Sequence, residues 1–156
     1  MTHQLDFFTQ YGQFYLADKD AIHGGDGPDF WSDAAHSERL AVDEGFLGVV
    51  IENDECMAKA SLSILESAPE IDASEDADHI VEASIELKSG CLQVLDCPNS
   101  FVMLEIPLEK ACYRVRIYGY SLDLAYQPQP EDYLHIAIWK ADFAPKVVLR
   151  QWISGY

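Results

Sequence analysis

CYRVRIYGY (Cys112–Tyr120) alternates more cleanly than any other stretch of the chain. Tyr113, Val115 and Ile117 fall on one side; Arg114, Arg116, Tyr118 and Tyr120 fall on the other. A side-chain period of two is the signature of a β-strand with one face on a core and one turned outward. The same period recurs on both sides of this stretch. Downstream, YLHIAIWKA (Tyr133–Ala141) sets Leu134, Ile136 and Ile138 against His135, Ala137 and Trp139, and VVLRQWI (Val147–Ile153) reads as a last strand. Upstream, FVMLEIPL (Phe101–Leu108) turns Val102, Leu104 and Ile106 inward. HIVEASIELK (His79–Lys88) turns Val81, Ala83, Ile85 and Leu87 inward, and Ser89-Gly90 reads as a hairpin turn into CLQVLD (Cys91–Asp96).

Further upstream lie MAKASLSIL (Met57–Leu65), the apolar run FLGVVIE (Phe46–Glu52) and a first strand over Gly12–Ala17. The one helix candidate falls near Asp33–Val42. Ser32 is its N-cap, Asp33 lies in its first turn and Gly45 marks its stop. Eight or nine short strands with one short helix near the N-terminus predict a mainly-β fold, an antiparallel β-sandwich, with an open barrel as the alternative. At 156 residues the chain fits a single domain, residues 1–156. The expected core is Phe14, Leu16, Trp31, Val50, Leu62, Ile85, Leu104, Val115, Ile117, Leu134, Ile136 and Ile138.

Charge divides the chain. It carries 27 acids against 10 bases, for a net −17. All of that excess lies in residues 1–87, whereas residues 88–156 are balanced. The sharpest segment is Ala60–Leu87, with eight acids and no Lys or Arg. A field of that sign repels nucleic acid and anionic membrane and speeds encounter with cationic proteins. No apolar run approaches the roughly 20 residues of a membrane span. The start MTHQLDFFTQ has no basic region followed by an apolar one, so a cytoplasmic location is expected. Cys56, Cys91, Cys97 and Cys112 form no CxxC pair and read as free thiols.

No nucleophile elbow, phosphate loop, dinucleotide fingerprint or zinc-protease motif occurs. The five histidines are scattered, and the HGGDGPD loop (His23–Asp29) has too few acids in the right order for a calcium loop. No catalytic, metal or cofactor site is therefore expected, and the protein reads as a non-enzyme. Two candidate binding surfaces remain. One is the polar stretch Glu66–Asp78, expected as an exposed loop presenting Glu66, Glu70, Asp72, Glu75, Asp76 and Asp78. The other is the outward row Arg114, Arg116, Tyr118 and Tyr120, because Arg and Tyr are enriched at interface hot spots. The alternative for that row is a solvated sheet face whose arginines pair with acids across the strand.

Two segments, QYGQFYLADKD (Gln10–Asp20) and WSDAAHSERLAVDEGFLGVV (Trp31–Val50), resemble the bacterial competence protein J family. The matching positions are Phe14, Asp18, Lys19, Asp20, Trp31, Ser32, Asp33, Ala41 and Gly48. YRVRIYGYSLD (Tyr113–Asp123) and EDYLHIAIWKA (Glu131–Ala141) look like the C-terminal strands of small bacterial proteins with this order of elements. The resemblance implies a small β-rich cytosolic protein; the family's namesake is a nuclease inhibitor bound to its target. The acidic Glu66–Asp78 loop departs from the family pattern. Charge and resemblance together lead to one expectation: a small acidic binding protein, an inhibitor or immunity-type partner of a basic protein such as a nuclease. The alternative is a small-ligand-binding β-sandwich or a hydrolase whose site is assembled only in space.

Overall fold

The computed structural model describes residues 1–21, 23–72 and 74–154. Among these residues eleven strands, numbered along the chain, form two sheets. The six-stranded sheet runs, in spatial order, β1 (Thr2–Gln10), β5 (Glu55–Leu65), β10 (Tyr133–Lys140), β9 (Ala111–Tyr120), β6 (His79–Leu87) and β11 (Val147–Arg150). The five-stranded sheet runs β3 (Leu40–Asp43), β4 (Phe46–Val50), β2 (Gln13–Asp18), β7 (Cys91–Leu95) and β8 (Val102–Pro107). Every pairing is antiparallel except β5 with β10. One apolar cluster takes residues from both sheets, among them Phe14, Leu47, Leu62, Ile85, Val94, Val115 and Ile136, which is the core of a β-sandwich. No helix among the described residues is long and apolar enough to cross a membrane.

The alternation of β9 has the register expected: Tyr113, Val115 and Ile117 are buried in the core. Of the twelve expected core residues, Trp31, Val50 and Leu104 are half-buried and the others are buried. Val102 is exposed, because β8 shifts register against β7 between Val94 and Leu95.

Two strands, β1 and β3, were not legible. In β1, Leu5, Phe7 and Thr9 point inward, but the adjacent Phe7-Phe8 and a polar inward residue blur the pattern. Thr9 is tolerated there because its hydroxyl donates to the Gln13 carbonyl at 2.7 Å and accepts from the Cys97 amide at 3.0 Å. β3 takes residues expected in the helix, which is shorter than its sequence suggests. α1 (Asp33–Glu38) starts at the Ser32 cap, whose side chain accepts from the Ala35 amide, but it ends at Arg39 in a left-handed conformation. Leu40 and Ala41 then pair with β4 and are fully buried, so sheet burial overrides their helix propensity. Gly45, expected as a helix stop, instead forms the β3–β4 turn at φ +63°.

Ser89-Gly90 is not a hairpin. β6 and β7 belong to different sheets, and the turn carries the chain across the sandwich. The glycine chemistry is that of a tight turn, with Gly90 at φ +71°. β6, however, already has β9 and β11 as neighbours. Asp18, buried at the end of β2, holds this crossing by accepting from the Ser89 amide and hydroxyl.

Candidate interaction surface

The outer face of the six-stranded sheet carries the outward row of β9, and that row is not solvated. Arg114, Arg116 and Tyr118 are 5%, 7% and 5% exposed. Both arginines converge on Glu82, which stands opposite Arg116 on β6. Arg114 Nε donates to Glu82 Oε2 at 2.6 Å and Arg116 Nε to Glu82 Oε1 at 2.9 Å. The cross-strand pairing is the one the sequence allows, but it is buried, and two guanidinium groups share one carboxylate.

Two chain segments cover the triad. After β10 the chain must reach β11, two strands beyond β9, and residues 141–146 cross the face to do so. Arg114 donates to the carbonyls of Ala144 and Pro145 at 2.7 and 2.8 Å. After β5 the chain must reach β6, with β10 and β9 lying between. Residues 66–78 make that crossing as a strap; Ala73 within it lies outside the described residues. Arg116 Nη1 donates to the Pro69 carbonyl at 2.8 Å, and its guanidinium lies 5.0 Å from the Trp139 ring centre. Tyr120 Oη donates to Glu75 at 2.8 Å. Arg150 Nη1 holds the carbonyls of Glu75 and Ala77 at 2.6 and 2.7 Å. The Asp78 amide donates to the Gly119 carbonyl, and its carboxylate accepts from the Leu122 amide at 2.9 Å. Ala77 of the strap packs with Ile80, Tyr118, Ala137 and Trp139 in an apolar cluster.

The two surfaces read separately from the sequence are thus one assembly, with the Arg/Tyr row as the anchor and the acidic stretch as what it anchors. This divides the six acids. Glu66, Glu70, Asp72 and Asp76 are exposed, whereas Glu75 and Asp78 are half-buried and hydrogen-bonded within the fold. An exposed loop throughout 66–78 is therefore corrected: its backbone is tied down at Pro69, Glu75, Ala77 and Asp78, and only four of the carboxylates stand out. Asp72 is held ionised below the usual carboxylate range by the amide of Ser74. The Tyr120 phenol is pushed up, first by burial and then by its bond to Glu75, and so remains a donor at neutral pH. The Arg114–Glu82–Arg116 triad carries two positive charges against one negative beneath the strap.

The members that sequence reasoning missed are Glu82, Arg150 and the strap carbonyls. A signal was present. The outward positions Ile80, Tyr118, Ala137 and Trp139 are too apolar for a wet sheet face, and they implied a cover.

From beneath the strap an aromatic ladder runs out to the exposed Tyr133. Tyr118 and Tyr120 stack at 6.4 Å, and Tyr120 stacks on Tyr133 at 4.7 Å. Ser61 Oγ and His135 Nδ1 are 2.7 Å apart at the ladder's flank, and burial lowers the His135 pKa. This pair matches the first step of nucleophile activation. It lies inside the sheet, however, where Ser61 pairs with both β1 and β10 and the flanking backbone amides are committed to the ladders. Such a site offers no amide pair to an oxyanion.

Two solved structures match this architecture along nearly the whole chain. One is described as crocagin biosynthetic gene J, with a TM-score of 0.62 and 16% identity, covering 91% of this chain and 98% of that one. The other is ComJ of Bacillus subtilis, described as the inhibitor of the DNA-degrading activity of NucA. Its TM-score is 0.62 and its identity 16%, over 90% of this chain and 96% of that one. The protein has the ComJ fold. No family model matches the sequence, and no curated protein does. The resemblance to ComJ read from two N-terminal segments thus extends, at the level of fold, over both sheets. Within the ComJ-like sandwich Gly48 makes room for two aromatic rings. A Cβ there would stand 2.6 Å from the Trp31 ring and 2.9 Å from Phe30. Trp31 in turn stacks on His36 at 5.0 Å.

Proposed function

We propose that the protein is a binding protein rather than a catalyst, an inhibitor-type partner of a basic protein of the nuclease class, acting in the bacterial cytosol. The observation that carries this reading is the strap. Six acids and no base lie between Glu66 and Asp78. The strap is fixed mainly through its carbonyls, so the side chains of Glu66, Glu70, Asp72 and Asp76 stay in solvent. A nuclease substrate site is basic because it holds phosphates. Carboxylates on a segment tied down at both ends present the same charge at a lower ordering cost than a free loop. The fold shared with an inhibitor of a DNA-degrading enzyme supports the reading.

The test immobilises the chain and captures its partner from the source cell across a salt series, beside the variant Glu66→Gln/Glu70→Gln/Asp72→Asn/Asp76→Asn. A basic, salt-labile partner with DNA-degrading activity is expected. The variant should associate about tenfold or more slowly at low salt and keep its melting temperature, since exposed like charges add nothing to folding. An association rate and salt slope unchanged by the four substitutions would leave the strap as a solubilising cover only.

A further inference from the structure

A second acidic feature lies where β5 and β10 begin, beyond Tyr133 and on the side away from the strap. A cavity of about 500 Å³ opens between the start of β5 and the 127–132 segment. Its walls include Asp6, Glu55, Met57, Lys59, Pro128 and Asp132. The acids outnumber the base, and Lys59 is already engaged, donating to the Pro130 carbonyl at 3.5 Å. The apolar part of this end is open. Met57 is 51% exposed, its cross-strand neighbour Phe8 is 49% exposed, and Tyr133 is 46% exposed. The cavity's far wall is rigid: Asn53 donates to the Ala125 carbonyl at 3.2 Å and Tyr126 to the Glu52 carbonyl at 2.6 Å, tying the β4–β5 turn to the segment before β10.

Asp132 singles the groove out. It is half-buried at the cavity wall, within reach of the Arg39 and Lys59 charges. Burial is the largest influence on its pKa and raises it, outweighing the lowering effects of its own backbone amide and of the Arg39 and Lys59 charges. A carboxylate whose desolvation outweighs its stabilising contacts is costly, and a cation brought to it offsets that cost.

We propose that this groove receives an arginine side chain from the basic partner, with the guanidinium against Asp132 and Glu55 and the aliphatic stem along Met57. The inference rests on the reading of the protein as a binder of a basic protein and names the pocket that fixes its register. Arginine fits better than lysine: its head is weakly hydrated, matches a carboxylate with two parallel donors, and lies flat on apolar and aromatic walls. The strap and the groove divide the work. Exposed carboxylates set the encounter rate, and a half-buried carboxylate in an apolar cleft sets the lifetime of the complex.

The experiment titrates the blocked tripeptide acetyl-Leu-Arg-Leu-amide into isotope-labelled protein and follows backbone amide shifts, with the citrulline analogue as the neutral isostere. Saturable shifts centred on Glu55, Met57 and Asp132 are expected, with citrulline weaker by about tenfold, the scale of losing one charge-assisted bond. Asp132→Asn should remove that difference while keeping its melting temperature, and the fourfold strap variant should bind the tripeptide as the parent does. Equal binding of the arginine and citrulline peptides would overturn the inference, as would shifts centred on the strap or no saturation. Because the strap is read separately by salt-dependent capture, the groove can fail while the binding function stands, and the converse holds too.

Discussion

Both sheets of the sandwich have covered outer faces, but the two covers are built from different forces. The five-stranded sheet is covered by the segment that leads through Phe30 and Trp31 into α1, and the contact is apolar: Ala17, Phe30, Ala35, Ala41, Phe46 and Leu95, with Tyr15 and Trp31 packed against them. Ring contacts of Phe46 with Tyr15 at 5.0 Å and with Phe30 at 5.7 Å hold it together. The six-stranded sheet is covered by the acidic strap and by residues 141–146, and the contact is largely a network of charged donors on backbone carbonyls. An apolar cover tolerates small changes in proportion to the area lost. A buried ionic cover depends on every partner, because one deletion strands the rest in low dielectric. The difference also bears on what each cover can present to solvent. A cover bound by its carbonyls leaves acidic side chains outside, which an apolar contact on the same segment would not.

Glu82→Gln breaks this contrast most strongly. It leaves Arg114 and Arg116 buried without their shared counter-charge, and a loss of about 3–5 kcal/mol is expected by urea unfolding. A loss below about 1 kcal/mol, the scale of a surface pair, would mean that the triad is wet. The apolar cover is tested by Gly48→Ala, whose new methyl meets the Trp31 and Phe30 rings. A cost of about 1–3 kcal/mol is expected, with altered Trp31 fluorescence. A larger effect here than at Glu82 would reverse the ranking of the two covers.

The smallest effect lies where the covers meet. His79, at the strap's exit into β6, has Nε2 2.8 Å from the Glu38 carbonyl at the end of α1, while Nδ1 accepts from the Trp152 amide at 3.0 Å. Those partners fix the neutral tautomer, with the proton on Nε2. Burial lowers its pKa below the ordinary 6.5, and the Arg39 charge adds to this. The unfolded chain therefore binds a proton here that the native state refuses. The contribution of His79 to stability is complete above pH 6.5 and is lost as the pH falls through the lowered native pKa. In a ring-proton titration by NMR, the His79 midpoint should lie below pH 6.5; a midpoint at or above that pH would remove it as a link between the covers.

Alternation alone determined a great deal. The inward faces of β5, β6, β9 and β10 were legible because side-chain direction in a strand is a local property with a period of two. The N-cap at Ser32 was legible for the same reason, since a cap is satisfied within three residues. The sequence also placed the acids and the Arg/Tyr row correctly along the chain. It could not show that the row lies under the acids, because that depends on strand order. β5 and β6 follow one another in the chain yet stand three places apart in the sheet, and only this separation forces residues 66–78 across the face. The same holds for Leu40–Asp43, whose helical propensity gave way to a place beside β4, and for Ser89-Gly90, whose turn chemistry says nothing about which sheet the next strand joins. Local chemistry fixes which way a side chain points. Neighbours distant in sequence decide whether it points at water, and for Arg114 and Arg116 they decided that it does not.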